Sequence, residues 1–327
     1  MSSKLKKIAV FTSGGDSPGM NAAIRAVTRT GIYHGLEVSG IMRGYTGLIN
    51  GEFISLDTFS VSNIIQRGGT ILKSDRSEDF KTKQGREKAY EQLQKENIDA
   101  LVAIGGDGTF TGAQVFDEEY TFPIIGIPGT IDNDLYGTDH TLGYDSALNT
   151  AMNAIDNIRD TAASHDRLFF VEVMGRDVGF IALRCGIAGG AKAVLVPETK
   201  SDLPNLMKTL ENCRKRNKTS MIVVVSEGDE SGGAFKVADM VKKKFKHYDT
   251  RVSVIGHMQR GGKPSCADRV LASRLGVGAV EALLNGEKAK MIGVIHRDLV
   301  LTSFDKTTKH HKEINRDFLK LVDILSS

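Results

Sequence analysis

Short runs of apolar, mostly β-branched residues alternate along the chain with longer stretches of helical periodicity. The runs fall at residues 8–11, 101–104, 123–127, 168–173, 193–196, 221–225 and 252–255. Most are apolar throughout rather than at every second position, the pattern of a strand covered on both faces. Between them, residues 20–34, 84–96, 146–162, 203–216, 235–245 and 268–284 carry helical patterns. The alternation of strand and helix predicts an α/β protein with doubly wound parallel sheets, and 327 residues suffice for one large or two medium domains. Nearly every predicted strand empties into a polar or glycine-rich loop. Such sheets bind ligands outside the carboxyl ends of their strands, so six loops are expected to deliver chemistry to one rim, with a cleft between two packed domains.

Charge narrows the partners. Lys and Arg total 43 against 40 Asp and Glu, a net +3, which supports neither a nucleic-acid nor a membrane-surface role. The lysines of Lys242-Lys243-Lys244-Phe245-Lys246 are expected to form a solvated helix face. At 40% hydrophobic and 25% charged the composition is that of a globular protein, which excludes the disordered and fibrous classes. No window reaches the roughly 18 apolar residues of a bilayer span, and residues 1–7 lead into only a short apolar stretch, without the pattern of an export signal. Cys185, Cys213 and Cys266 are odd in number and far apart, as for reduced thiols in a cytoplasmic protein. Glycine is the outlier: 35 residues, about 11% of the chain against a typical ~7%, with only 6 prolines and no repeat period.

About half of those glycines fall in or beside the loops. Ser13-Gly14-Gly15-Asp16 lies between a strand and a helix, where glycine lets backbone N–H groups approach an anion and the helix N-terminus adds partial positive charge; a tight turn without ligand is the alternative for this segment alone. Gly105-Gly106-Asp107-Gly108-Thr109 puts three glycines around one carboxylate, which suits phosphates on the backbone and Mg2+ near Asp107. It is neither a Walker A loop nor the dinucleotide fingerprint. Thr130-Ile131-Asp132-Asn133-Asp134 carries two carboxylates two residues apart, on the same side if the backbone is extended: one can serve as a base, the other can help position a cation. Arg76, Arg167, Arg176, Arg251 and Arg260 are expected near the same rim, where guanidinium groups suit phosphate oxygens. His257, between Gly256 and Arg260, is a candidate ligand contact. No motif for zinc hydrolysis or serine-type acyl transfer occurs.

Five segments in register, Ser13-Gly14-Gly15-Asp16-Ser17-Pro18-Gly19-Met20-Asn21, Gly105-Gly106-Asp107-Gly108-Thr109, Pro128-Gly129-Thr130-Ile131-Asp132-Asn133-Asp134, Met174-Gly175-Arg176 and Gly256-His257-Met258-Gln259-Arg260-Gly261-Gly262, resemble the bacterial ATP-dependent 6-phosphofructokinases. The resemblance implies two similar Rossmann-like, three-layer α/β/α domains with the active-site cleft between them. Residues 1–143 with about 259–309 would bind ATP, and 144–258 with about 310–327 would bind fructose 6-phosphate. It further implies transfer of the ATP γ-phosphoryl to the 1-hydroxyl of the sugar with Mg2+, in a cytoplasmic homotetramer whose active sites are shared between subunits.

Carried over by residue, the resemblance makes Asp132 the general base, with Thr130 and Asp134 beside it, and Arg176 the group that stabilises the transferring phosphoryl. Gly14, Arg76, Ser77, Gly106, Asp107, Gly108 and Thr109 fall to ATP, with Asp107 on the metal. Thr130, Ile131, Asp132, Met174, Gly175, Arg176, Glu227, His257, Met258, Gln259 and Arg260 fall to the sugar phosphate. Arg167 and Arg251 match arginines that reach it from a neighbouring subunit. The pyrophosphate-using relatives carry Asp in place of Gly108 and Lys in place of Gly129, so glycine at both positions implies ATP. The family's ADP or phosphoenolpyruvate effector site matches Arg25, Arg29, Arg159, Gly190, Arg216 and Lys218. Thr58 replaces an arginine there, and Lys192 replaces a glutamate that helps hold effector-bound magnesium, which predicts weakened or altered regulation. NAD and diacylglycerol kinases share Gly-Gly-Asp-Gly-Thr but lack the segments at 128–134 and 256–262. A non-catalytic sensor on this fold is disfavoured because Asp107, Asp132 and Arg176 are all present.

Overall fold

The computed structural model describes residues 5–200, 202–216 and 220–326. In chain order the elements are β1 (Lys7–Thr12), α1 (Met20–Tyr33), β2 (Glu37–Ile41), α2 (Gly44–Asn50), β3 (Phe53–Leu56), α3 (Lys83–Lys95), β4 (Ala100–Gly105), α4 (Asp107–Tyr120), β5 (Ile124–Pro128), α5 (Tyr144–His165), β6 (Arg167–Val173), α6 (Phe180–Ala188), β7 (Ala193–Leu195), α7 (Asp202–Lys215), β8 (Met221–Ser226), α8 (Ala234–Lys244), β9 (Asp249–Val254), α9 (Cys266–Leu284), β10 (Lys290–Ile295), β11 (Asp298–Ser303), α10 (Phe304–Lys309) and α11 (Arg316–Ser326). Two compact units result. One holds the chain through Ser146 together with Arg260–Lys312; the other holds Ala147–Gln259 and the chain from Glu313 on.

The first unit is built on a seven-stranded sheet in the order β11-β10-β5-β4-β1-β2-β3. Its five inner strands run parallel, and the continuous apolarity of β1 and β4 has a direct cause. Ile8 and Val10 of β1, with Val102 and Ile104 of β4, pack on one face among residues of α1 and α9. Their neighbours Ala9, Phe11, Leu101 and Ala103 pack on the other face with Leu48, Leu93, Phe110 and Phe116. Both faces are dry, and each buried aliphatic or aromatic side chain contributes roughly 1.5–3 kcal/mol. The order reverses between β1 and β4, since β1 is followed by β2 on one side and joined by β4 on the other, which makes the ends of β1 and β4 the switch point.

The parallel pattern gives way at the two edges of this unit, where β3 pairs antiparallel with β2 and β11 antiparallel with β10. These edge strands are partly exposed, with burial mixed along their length, and so lack the dry apolar run that marks the inner strands. The second unit carries a four-stranded parallel sheet, β7-β8-β6-β9. Leu168, Phe170, Val223 and Val225 face α7 and α8 through Leu206, Leu210, Val237 and Val241, and α6 and α11 also pack on this sheet. At the end of α8, Lys242, Lys243 and Lys244 are exposed and Phe245 is buried, as the solvated-face reading required.

Candidate active site

The first unit brings three predicted loops to neighbouring strand ends. Ser13, after β1, donates its N–H to the Ile104 carbonyl of β4 at 3.0 Å. Gly14 has φ 82°, a left-handed conformation that favours glycine. Its N–H donates to the Asp75 carbonyl at 3.2 Å and its carbonyl accepts from Ser74 Oγ at 2.7 Å, which ties the segment before Arg76 to the β1 loop. A Cβ at Gly105 would lie 2.3 Å from Thr109 Oγ1 and 2.7 Å from the Ser13 carbonyl, so the two loops touch only because this position has no side chain. Thr109 Oγ1 donates to that same carbonyl at 3.4 Å.

α4 starts behind Gly106, an N-cap residue that offers no capping side chain; the Thr109 N–H turns back to the Gly106 carbonyl at 3.0 Å, which leaves the N–H groups of Asp107 and Gly108 at the uncapped end. Nothing lies within 4 Å of the Cβ position of Gly108. Beside it the Oδ1 atom of Asp107 is buried and has no hydrogen-bond partner among the described residues. One carboxylate oxygen at a helix N-terminus fits Mg2+, which takes one or two carboxylates and fills its remaining positions with phosphate oxygens and water. No group of three or more His, Cys, Asp or Glu among the described residues could hold a metal by itself. Arg76 is exposed, while Ser77 accepts from the Phe80 N–H at 3.3 Å and caps the turn leading to α3.

The loop after β5 holds Asp132 and Thr130, both at least nine-tenths buried. Thr130 Oγ1 accepts from the Asp132 N–H at 3.2 Å and donates to Asp132 Oδ2 at 3.4 Å. The extended backbone that would put Asp132 and Asp134 on one side is not formed. Asn133 between them has φ 55°, and its side chain accepts from the Thr141 N–H at 3.0 Å and donates to the Asp139 carbonyl at 3.3 Å. Ile131 is fully buried, so its side chain contributes packing rather than chemistry. Arg260 also belongs to this unit, where its Nη1 donates to the Asp16 carbonyl at 3.2 Å and stands 2.7 Å from a Cβ placed on Gly15.

In the second unit the loops after β6 and β8 are joined by Glu227, whose Oε1 accepts from the N–H groups of Arg176 at 2.8 Å and Gly175 at 3.3 Å. Arg176 has φ 53° and an exposed side chain 3.4 Å from Asp177. His257 and Met258 are exposed. Gln259 is corrected from a ligand contact to a brace: it is fully buried, accepts from the Met174 N–H at 2.8 Å and donates to the Ala147 carbonyl at 3.5 Å.

The expectation that five arginines share a rim fails within this unit. Arg167 opens β6 and Arg251, third in β9, is in register with Phe169, whereas Arg176 follows the carboxyl end of β6, seven residues long. Asp249 holds both, at 3.0 Å from Arg167 Nε and 2.6 Å from Arg251 Nη1. The alternation Asp249-Thr250-Arg251 on a strand puts acid and base on one face, a sequence signal that went unread.

Of the predicted effector residues, Arg25 and Arg29 are one turn apart on α1, and partial burial together with the Arg29 charge lowers the pKa of Arg25. Thr58 is exposed and belongs to the first unit. In the second unit Arg159 donates to the Gly189 carbonyl, beside Gly190 at φ 59°, and Lys192 donates to the Ser326 carbonyl. Arg216 is exposed after α7, and Lys218 lies outside the described residues.

Sequence reading also missed Tyr45. Its ring stacks on Phe80 at 3.8 Å and its hydroxyl donates to the Thr109 carbonyl at 2.7 Å, steadying the first turn of α4. No local motif marks it. All three cysteines are free; Cys266 is exposed, and burial pushes the Cys185 thiol up to about 12. No helix among the described residues is long and apolar enough to cross a membrane.

The chain is 56% identical over 322 residues to the ATP-dependent 6-phosphofructokinase of Cytophaga hutchinsonii, covering 98% of each chain. It is 54% identical over 322 residues to ATP-dependent 6-phosphofructokinase 1 of Thermus thermophilus, covering 98% of this chain and all of that one. The phosphofructokinase of Saccharomyces cerevisiae superposes with a TM-score of 0.87 at 37% identity, over 93% of this chain and 45% of the yeast chain. A pyrophosphate-dependent phosphofructokinase from Marinobacter aquaeolei shares the fold at 24% identity, with a TM-score of 0.84 over 97% of this chain and 91% of that one. Residues 7–283 match the model of the Phosphofructokinase family, and to that family this chain belongs.

Proposed function

We propose that this protein transfers the γ-phosphoryl group of ATP to the 1-hydroxyl of fructose 6-phosphate, giving fructose 1,6-bisphosphate and ADP. The observation that carries this reading is the end of β4: a helix N-terminus with no capping side chain, an open position at Gly108, and a buried Asp107 oxygen without a hydrogen-bond partner. The two relatives named for the ATP-dependent reaction match over 98% of this chain.

In this reading the N–H groups of the first turn of α4 receive nucleotide phosphates, because helix N-termini favour anions. Asp107 holds Mg2+, which when bound draws charge from the phosphate oxygens. Asp132 accepts the proton of the sugar 1-hydroxyl as the oxygen of that hydroxyl bonds to the γ-phosphorus and the bond from the γ-phosphorus to the β,γ-bridging oxygen breaks, leaving ADP. Its contact with Thr130 Oγ1 fixes the carboxylate for that transfer. Arg176 balances charge on the phosphoryl in flight, and its exposed, left-handed position after β6 leaves the guanidinium available to a ligand. Met174, Gly175, Glu227, His257 and Arg260 serve the sugar phosphate. Arg167 and Arg251 act from a neighbouring subunit of a cytoplasmic homotetramer; their place away from the carboxyl end of β6 supports a role in another chain's site.

Regulation by ADP with magnesium is weakened, because the Lys192 ammonium stands in place of a metal-binding carboxylate and is already engaged with the Ser326 carbonyl. Initial rates test these assignments together, with ATP against pyrophosphate as donor and with or without ADP and phosphoenolpyruvate. Turnover with ATP, none with pyrophosphate, and a shallow response to effectors is the expected result. Efficient use of pyrophosphate overturns the donor assignment, and strong sigmoidality relieved by ADP overturns the regulatory one.

A further inference from the structure

Ser265-Cys266-Ala267-Asp268 has the form of a capping box, in which the fourth residue's carboxylate turns back to the N–H of the first. Only half of that box forms. Ser265 Oγ accepts from the Asp268 N–H at 3.2 Å, but the Ser265 N–H donates at 2.9 Å to Ser146 Oγ. The Asp268 carboxylate is turned to a different segment. Its Oδ1 accepts from the Gly143 N–H at 3.0 Å, and its Oδ2 accepts from the Ser146 N–H at 2.8 Å and from Ser146 Oγ at 2.6 Å. Asp268 is 1% exposed, so a buried carboxylate here is costly unless its acceptor sites are used. Burial raises its pKa, the donors on Ser146 and Gly143 lower it in part, and the charge of Asp145 raises it further. A local rule broken at such a cost marks a group kept for a purpose other than starting its own helix.

The segment that Asp268 grips leads to the loop of Asp132. The Leu142 N–H donates to the Pro128 carbonyl at 2.8 Å, Thr141 Oγ1 donates to the Thr130 carbonyl at 2.6 Å, and the Thr141 N–H donates to Asn133 Oδ1 at 3.0 Å. These residues all belong to the first unit. We propose that Asp268 is a positioning residue for Asp132: by anchoring residues 143 and 146 to α9 it fixes Thr141, and Thr141 fixes both sides of Asp132. The inference rests on Asp132 acting as the base.

Asp268→Asn keeps size but turns an amide NH2 toward at least one N–H donor, so the segment has to shift. A displacement of about 1 Å at a catalytic group costs on the order of 100-fold. The expected result is a fall of roughly 10- to 100-fold in kcat, with KM for both substrates changed less than about threefold. Thr141→Val removes the hydroxyl bonded to Thr130 at nearly constant shape; it is expected to lower kcat about tenfold, and it carries the test if Asp268→Asn does not fold. The deciding measurement is a double-mutant cycle with Asp132→Asn. If Asp268 acts through the base, its substitution costs less than about threefold once the base is gone, while general damage to the site persists undiminished. Equal losses in both backgrounds, or no loss in the wild-type background, overturn the positioning role alone. An Asp132→Asn enzyme within about tenfold of wild type removes the base assignment, and this inference with it.

Discussion

In the first unit α4 begins behind Gly106 and α1 behind Gly19, and neither N-terminus has a capping side chain. In the second unit α8 begins behind Gly233 and α6 behind Gly179, yet a glutamate from elsewhere closes each. Glu172 accepts from the Ala234 N–H at 2.7 Å, and Glu198 accepts from the Gly179 N–H at 2.9 Å. Glu227 likewise accepts from the N–H groups of Gly175 and Arg176, in the loop between β6 and α6. A glycine before a helix therefore has two meanings in one chain. Where the N-terminus keeps its partial positive charge, the backbone can receive an anion. Where an internal carboxylate has taken that charge, an anion has to be met by side chains such as Arg176 and His257.

The largest effect that could break this contrast is expected from Gly108→Asp. The position has open space around its Cβ, so folding and thermal stability should hold, while a carboxylate among the α4 N–H groups repels nucleotide phosphate. A fall of at least about 100-fold in kcat/KM for ATP is predicted, since at an effective dielectric constant of about 20 two charges 4 Å apart differ by several kcal/mol. Unchanged ATP kinetics in a folded variant would show that phosphate does not sit there. Gly129→Lys is a poorer test, because a Cβ at 129 already lies 3.0 Å from Ile104 Cγ2 and 3.1 Å from Met20 Cε.

A smaller effect is expected from Glu227→Gln, which keeps an acceptor but removes the charge that strengthens its two N–H contacts. Stability should drop by about 1 kcal/mol and KM for fructose 6-phosphate should rise several-fold, with KM for ATP unmoved. A variant that instead raises KM for ATP would blur the division between the units. The smallest effect is reserved for Glu172→Gln, which removes charge from the start of α8 alone. Chemical denaturation should report a loss of about 0.5–1 kcal/mol with kinetics intact; a kinetic change there would mean that the second unit also uses a helix terminus for its ligand.

Much of the fold was legible because most inner strands are dry on both faces and therefore read as unbroken apolar runs. β3 and β11 were not, since edge strands with one face toward solvent lose that signature, and neither were the inner strands β2 and β10, whose apolar runs are broken by Ser39-Gly40 and by Gly293. The Asp107 and Asp132 loops were legible for a different reason: several groups needed at one strand end come from consecutive residues, and consecutive residues appear as a motif. Tyr45, Asp249 and Asp268 act on partners far along the chain or on another strand, and no local window displays them. Gln259 was misjudged because a motif names residues without telling whether a side chain faces a ligand or the interior.

The sequence by itself determined the segments that become β1, β4, β5, β6 and β8, and which strand ends carry glycine and carboxylate, because these depend on period and on neighbours in the chain. Tertiary structure alone decided which helix N-termini stay open. Gly106 and Gly233 look alike as letters; whether a carboxylate such as Glu172 reaches the N–H groups behind them depends on an element far away in sequence that folding brings within 3 Å. It also decided that Asp268, written as a capping residue for its own helix, closes on Gly143 and Ser146 instead, since a buried carboxylate settles where the most donors converge.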